Sequence, residues 1–255
     1  RKAQILYSPH CYAFLMRSYP RCVRWILKKL ETLLSFRTDA VVAVSPFEAK
    51  IAQKISTKSC NVILEPNIAN PTINADGPQT LNSESTNRTY PPLQIRAVGR
   101  YCEQKNPHLL AEILSQARNT GLEIDFEWIG SPDSAETELE LPISGWKLQS
   151  EVEQIIASVD LLIHTASWEA GVPLVALDAI NAGTPTLLRK LPEYEEILES
   201  GSFDTKDEAV AMLKQLISPD NREQLIKHQI QELTRYFANN QKRRLENLYL
   251  QSIEK

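Results

Sequence analysis

No stretch of this 255-residue sequence is apolar for long enough to cross a membrane, which takes about 20 residues as helix. Cysteine is scarce. Cys11, Cys22, Cys60 and Cys102 stand far apart, without the paired spacing of a metal site or a disulfide framework, so reduced thiols in a cytosolic protein are expected. The eight glycines form neither a Walker-type loop nor a Gly-x-Gly-x-x-Gly turn, and no Cys, His and Asp fall at a recognisable catalytic spacing. Neither sign of charge is in large excess. The balance of 28 Lys and Arg against 32 Asp and Glu leaves −4, which argues against bulk nucleic-acid binding. No signal-peptide pattern is read at the start, and Asn87-Arg-Thr89, a glycosylation sequon in form, is read as chance.

What is present is the balance of an ordinary globular protein, 42% hydrophobic and 24% charged, with length for one large core or two moderate ones. Arg17, Arg21, Arg24, Lys28, Lys29 and Arg37 crowd one early segment, interleaved with Tyr19, Trp25, Ile26, Leu27 and Leu30. A basic, aromatic-bearing helix of this kind either lies on an anionic membrane surface or is the solvated face of a soluble domain; the sequence leaves both open.

Gln4–Tyr7 reads as a strand already in mid-fold, so the chain is expected to begin inside a domain. Pro20 to about Phe36 has helical spacing, Asp39–Val44 is a short strand of buried type, and Asn61–Leu64 is another. Ser45-Pro-Phe-Glu48 has the form of a helix start, with Ser as N-cap and Pro at the first position. Asn70 to Pro92 is rich in Asn, Pro, Ser and Thr and lacks apolar periodicity, as a linker would. Beyond it, strands are expected at Leu93–Val98, Ile124–Ile129, Leu141–Ser144, Leu161–His164 and Thr186–Leu188. Helices are expected at Pro107–Arg118, Ser150–Ala157, Pro173–Ala182, Pro192–Leu198, Lys206–Leu216 and Arg222–Phe237. This alternation predicts an α/β fold with a doubly wound parallel sheet. The expected division is a partial Rossmann-like domain at 1–70, a linker at 71–92, a nucleotide-binding Rossmann-like domain at 93–234, and a C-terminal helix at 235–255 that could cross back.

Two loops at expected carboxyl ends of strands carry the chemistry, where open α/β sheets bind ligands. In the first, Gly99 removes a side chain from a phosphate's path, Arg100 offers a bidentate fork, and Lys105 adds a flexible point charge. In the second, Ser167-Trp-Glu169-Ala-Gly171-Val172-Pro173, the turn leads into a helix with Pro173 expected at its first position, and the helix's free amides suit an oxygen ligand. Glu169 and Asp178 are carboxylates fit for sugar hydroxyls. Cations for a diphosphate beside carboxylates for a sugar point to a nucleotide-sugar site. His10, in Ser8-Pro-His-Cys-Tyr12 just past a strand, could face the same cleft or be structural, while His164, inside a strand, is expected to be packed or backbone-bonded.

These residues resemble the retaining glycosyltransferases of family 4, which have the GT-B fold. That family carries Gly-Arg with Lys five residues after the Arg, as in Gly99-Arg100 and Lys105. It also carries a Glu-x7-Glu motif within a run like Gly171-Val-Pro-Leu-Val-Ala-Leu-Asp-Ala179, followed by Ala-Gly-Thr-Pro, here residues 182–185. Thr38–Ser45 and Val62…Pro66-Asn67 resemble the end of the family's N-terminal domain, and Tyr7-Ser-Pro-His10 resembles its segment with a histidine near the donor sugar. The resemblance implies that Arg100 and Lys105 hold the diphosphate of a UDP- or GDP-sugar, Asp178 binds ribose, and Glu169 and His10 act at the sugar. It implies transfer with retention to a saccharide or lipid-linked acceptor, without a metal or cofactor, in bacterial surface polysaccharide synthesis at the inner face of the membrane.

The sequence departs from that pattern in three places. Eight residues separate Glu169 from Asp178, one more than the family spacing, so that Ala170 falls on the usual acid position. Asp178 is one methylene shorter than the usual Glu. The first half of the N-terminal domain, with much of the acceptor site, is missing from the pattern. Two other classes stay in view: a non-catalytic nucleotide-sugar-binding module or partner subunit, and a nucleotide-sugar epimerase of similar architecture.

Overall fold

The computed structural model describes residues 4–57, 60–67, 92–134 and 140–236. They form an α/β protein with two parallel sheets. The first sheet has the order β1 (Leu6–Tyr7), β2 (Ala40–Ala43), β3 (Asn61–Leu64), with α1 (Arg21–Leu34) between β1 and β2 and α2 (Pro46–Ile55) between β2 and β3. Its small core gathers Tyr12, Phe14, Val41, Ala52, Ile55 and Cys60, with the Tyr12 and Phe14 rings stacked at 5.1 Å. Pro46 opens α2 as expected, and the Ser45 hydroxyl accepts the Glu48 N–H at 3.1 Å.

Helix α1 wears its apolar residues outward. None of its 14 residues is buried, and Trp25, Leu33 and Leu34 are 62–64% exposed. Polar side chains hold it to the domain: Arg24 Nε donates to the Phe14 carbonyl at 2.7 Å, and the Tyr7 hydroxyl donates to Glu31 at 3.1 Å.

The second sheet runs β5-β4-β6-β7-β8, where β4 is Leu93–Val98, β5 Ile124–Ile129, β6 Leu161–His164, β7 Thr186–Arg189 and β8 Ser202–Phe203; every pairing is parallel. Strand alternation sends successive side chains to opposite faces. Ile95, Ile163 and Leu187 pack with α3 (Pro107–Asn119) and α6 (Lys206–Gln215). Leu162 and Leu188 pack with α4 (Gln149–Ser158), α5 (Leu174–Asn181) and α7 (Pro219–Tyr236). All four residues of β6 are buried, the condition of a parallel strand covered on both faces. From β4 the chain steps outward to β5 and then returns to β6 on the other side. This reversal opens a crevice between the carboxyl ends of β4 and β6.

Several expected elements differ. Leu141–Ser144 forms no strand, only a bridge between Trp128 and Ile143, because Pro142 has no N–H to donate and the chain turns at Gly145, φ 78°, whose carbonyl accepts the Gly130 N–H in an antiparallel bridge. Pro192–Leu198 is a run of hydrogen-bonded turns instead of a helix: the fully buried Tyr194 ties its hydroxyl to the Arg189 carbonyl, holding the segment over the end of β7. Pro173 is the N-cap of α5 and not its first residue, with ψ 134°. Strand β8, two residues long, is too short to show a period. The expected linker at 71–92 lies outside the described residues apart from Pro92, as do Asn87 and the C-terminal stretch beyond Tyr236.

Candidate functional site

The site grows from the ends of β4 and β6. At the first, Gly99 has φ 135°, and its backbone is committed: its N–H donates to the Ile129 carbonyl at 2.9 Å and its carbonyl accepts Trp128 Nε1 at 2.8 Å. Gly99 therefore offers space rather than a donor. Gly130 makes this geometry possible, since a Cβ there would lie 1.9 Å from the Gly99 oxygen. Nothing in the sequence singled out Gly130.

Beyond Gly99 the two cations diverge. Arg100 reaches outward, its side chain 56% exposed, with one guanidinium nitrogen 3.4 Å from Asp133. Lys105 closes a short 3-10 turn, Glu103–Lys105, and points inward with its side chain 18% exposed. Its carbonyl accepts the Thr165 hydroxyl at 2.9 Å, and Gln104 bonds the Ser167 N–H and the Trp168 carbonyl, so the β4 and β6 loops are stitched together.

The stitching delivers Lys105 Nζ to Glu169 Oε1 at 2.5 Å. His164, the last residue of β6 and buried, places Nε2 2.9 Å from the same oxygen. Burial, reinforced by the Lys105 charge, pushes the His164 imidazole down, so at neutral pH it is uncharged and donates from Nε2. Burial alone would raise the Glu169 carboxyl. The His164 hydrogen bond and the Lys105 ammonium outweigh it and hold Glu169 below its ordinary range, an ionised carboxylate in a dry setting. The expectation for His164 was thus incomplete: it is packed, but its partner is a site carboxylate. Its position at a strand end, five residues before Glu169, was the available signal.

The loop then meets the first sheet. Ser45 donates to the Ala170 carbonyl at 2.7 Å, and Asn67 to the Val172 carbonyl at 3.4 Å. Gly171 permits the approach, because a Cβ there would sit 2.9 Å from the Val44 oxygen and 3.3 Å from Ser45 Cβ. Gly171, Val172 and Pro173 are buried under this contact. In α5 the N–H groups of Ala176 and Leu177 bond to the Pro173 carbonyl, and Asp178 is half-buried on the same short helix.

Across the junction, His10 is exposed at the end of β1 and Cys11 follows it, half-buried. Burial and the carboxylates of Glu48, Glu193 and Glu169 push the Cys11 thiol up to about 12, which rules it out as a nucleophile near neutral pH. Glu193, read as part of a helix, is in fact buried at the junction, and its carboxyl is raised by that burial. The structure therefore brings Lys105, beside Gly99, together with Glu169 and His164, sets Gly171–Pro173 against the first sheet, and leaves Arg100 and His10 exposed. Among the described residues, no cluster of three His, Cys, Asp or Glu side chains is arranged to hold a metal, and no helix is long and apolar enough to cross a membrane.

Residues 92–235 match the family model described as glycosyl transferases group 1. A protein of Klebsiella pneumoniae described as an uncharacterized 41.2 kDa protein in the cps region is 24% identical over 215 residues, which are 79% of this chain and 56% of that one. TarM of S. aureus, crystallised with fondaparinux, alpha-GlcNAc-glycerol and UDP, superposes with a TM-score of 0.73 at 12% identity over 99% of this chain and 51% of its own. The pneumococcal O-GlcNAc transferase GtfA, with UDP and GlcNAc, gives 0.70 at 11% over 99% and 53%, and Anabaena HepE, with UDP and glucose, 0.68 at 14% over 96% and 71%. The chain thus spans about half the length of several of the proteins it matches. Its fold is part of a GT-B fold, and the chain belongs to the glycosyl transferases group 1 family.

Proposed function

We propose that this chain binds a nucleotide-sugar donor, UDP- or GDP-linked, and transfers its sugar to a saccharide or lipid-linked acceptor with retention at the anomeric carbon, as family 4 enzymes do. The observation that carries this reading is the largely enclosed Lys105–Glu169–His164 cluster at the reversal of strand order, inside the family-matched segment. A donor diphosphate entering over Gly99 takes the Lys105 ammonium from Glu169 and frees that carboxylate for the sugar hydroxyls. Arg100 swings in from the rim as a second clamp. Two cations aimed at the leaving diphosphate stabilise developing charge without a metal. The amides of Leu174 and Val175, at the positive end of α5, are left for a ligand oxygen, and Asp178 accepts from the ribose. His10 meets the sugar from the first sheet.

Within this reading residues 1–70 are the later part of an acceptor-side domain and residues 93–234 the donor domain, joined by 71–92. The Klebsiella relative from a cps region supports a role in surface polysaccharide synthesis. The outward apolar face of α1, flanked by Arg21, Lys28 and Lys29, supports peripheral contact with an anionic membrane at the cytoplasmic face.

Calorimetric titration of the 255-residue chain with UDP, GDP and their sugar conjugates, without added metal, tests the proposal. Micromolar binding to one conjugate, lost in Arg100→Ala, is expected. Absence of binding in a folded sample overturns it in favour of a degenerate module, a reading that Ala170 at the family's usual acid position would then explain.

A further inference from the structure

The first sheet ends in an unusual piece of backbone. His10 has φ 45° and Cys11 φ 81°, two consecutive left-handed residues, neither of them glycine. The remaining described non-glycine residue with positive φ, Asn106, is a helix N-cap whose side chain bonds Leu109 and so accounts for itself. Cβ crowding disfavours left-handed backbone for ordinary residues, so a consecutive pair persists only where the surroundings impose it.

The imposing group is Glu48. In a helix opening Ser-x-x-Glu, the glutamate ordinarily folds back onto the N-cap amide. Here the carboxylate reaches past it: Oε2 accepts the Val44 N–H and Oε1 accepts the Cys11 N–H, both at 2.8 Å. Glu48 is 1% exposed, and its own N–H is held by Ser45. One buried carboxylate therefore ties the end of β1 to the end of β2, and Ser45 of the same turn bonds Ala170 in the β6 loop. The fixed order of bonds runs from Ala170 through Ser45 and Glu48 to Cys11, with His10 carried on the last link.

We propose that Glu48 is a positioning residue for His10: its carboxylate braces the left-handed His10–Cys11 backbone and so sets the imidazole at the rim of the donor site. The consequence for donor sugar rests on His10 acting there, as proposed above; the brace itself does not. Glu48 touches no ligand. It reaches His10 through the Cys11 amide and through its nearby charge, so its loss is felt where His10 contacts the ligand and not where Lys105 does.

The test compares wild type, Glu48→Ala, His10→Ala, the double variant, and Glu48→Ala combined with Cys11→Gly. Glycine tolerates positive φ without a brace, so the last variant relieves the need for Glu48 while leaving the carboxylate absent. Two readouts are taken on the full chain. The first is the imidazole resonance of His10, assigned by its loss in His10→Ala, with His164 as internal control. The second is affinity for UDP or GDP against that for the corresponding sugar conjugate. In Glu48→Ala the His10 resonance shifts or broadens while His164 is unmoved. The conjugate binds about tenfold more weakly with free nucleotide unchanged, the scale of one hydrogen-bonded contact. The double variant loses no more than His10→Ala alone, and Cys11→Gly recovers most of the loss. An unmoved His10 resonance in Glu48→Ala overturns the proposal, as does equal weakening of free nucleotide, additive loss in the double variant, or no recovery with Cys11→Gly. If wild type fails to distinguish conjugate from nucleotide, the reading of His10 at the sugar falls, and the resonance still decides the brace.

Discussion

Glu48, fully buried, and Glu169, mostly withdrawn from water, are carboxylates on either side of the junction between the two sheets, and their surroundings satisfy them by different means. Glu48 accepts two backbone N–H groups, and burial still pushes its carboxyl above the ordinary range. Glu169 meets a full charge at 2.5 Å and the His164 ring at 2.9 Å, and stays below that range although it too is withdrawn from water. Peptide dipoles offset part of a carboxylate's desolvation; a side-chain hydrogen bond from His164 together with an ammonium in contact exceeds it. Backbone partners fix geometry without reactive charge, which suits a brace. A charged partner can be exchanged for another ion, which suits a ligand site.

Removing the partner charge breaks this contrast most severely. Lys105→Ala leaves the Glu169 carboxylate largely buried beside a neutral imidazole, and unfolding in urea is expected to show a loss of about 2–4 kcal/mol, somewhat below the range for fully buried pairs because both side chains keep some exposure. A change under about 1 kcal/mol would mean that Glu169 does not depend on Lys105.

The pH dependence of stability sharpens the comparison with smaller effects. Glu169 has a depressed carboxyl, so its stabilisation is present above the ordinary glutamate value of 4.5 and is lost as the pH falls through the depressed value. Glu48 has a raised carboxyl. The folded state binds its proton more readily than the unfolded chain, so acidification from the raised value down to 4.5 adds stability. Denaturation midpoints measured against pH should therefore lose opposite features: Glu169→Gln flattens the acid-side decline, and Glu48→Gln removes a gain on the other side of 4.5. Parallel profiles for the two variants would contradict the assignment.

Arg100→Ala marks the smallest expected effect on folding. Its pair with Asp133 is more than half exposed on both sides, so the melting temperature should hold within the scatter of replicates. A clear drop would place Arg100 among the structural pairs with Lys105.

Much of the fold was legible because it is written locally. The starts of α2 and α3 follow from Ser45-Pro46 and Asn106-Pro107, whose capping side chains and prolines act within one turn. Strands β4, β5 and β6 showed as apolar runs of the right length. The misread segments are those where a distant contact overrules local preference: Tyr194 anchored to Arg189, and residues 141–144 held to Trp128 by a single bridge. At the site, residue types were readable and partnerships were not. Lys105 and Glu169 were taken as two separate ligand contacts, His164 as packed or backbone-bonded, and Glu48 as part of a helix start.

The sequence by itself determined an alternating α/β chain, the boundaries of most of its helices to within a few residues, and two loops carrying the residues suited to a nucleotide sugar, because period, capping and turn chemistry act over a handful of neighbours. Tertiary structure alone decided the reversal of strand order that lays the ends of β4 and β6 side by side. It brought Lys105 to Glu169 across 64 positions and Cys11 to Glu48 across 37. A charge has no preferred partner in sequence. Its partner is whichever group the folded sheet places within about 3 Å in a setting dry enough for the attraction to count.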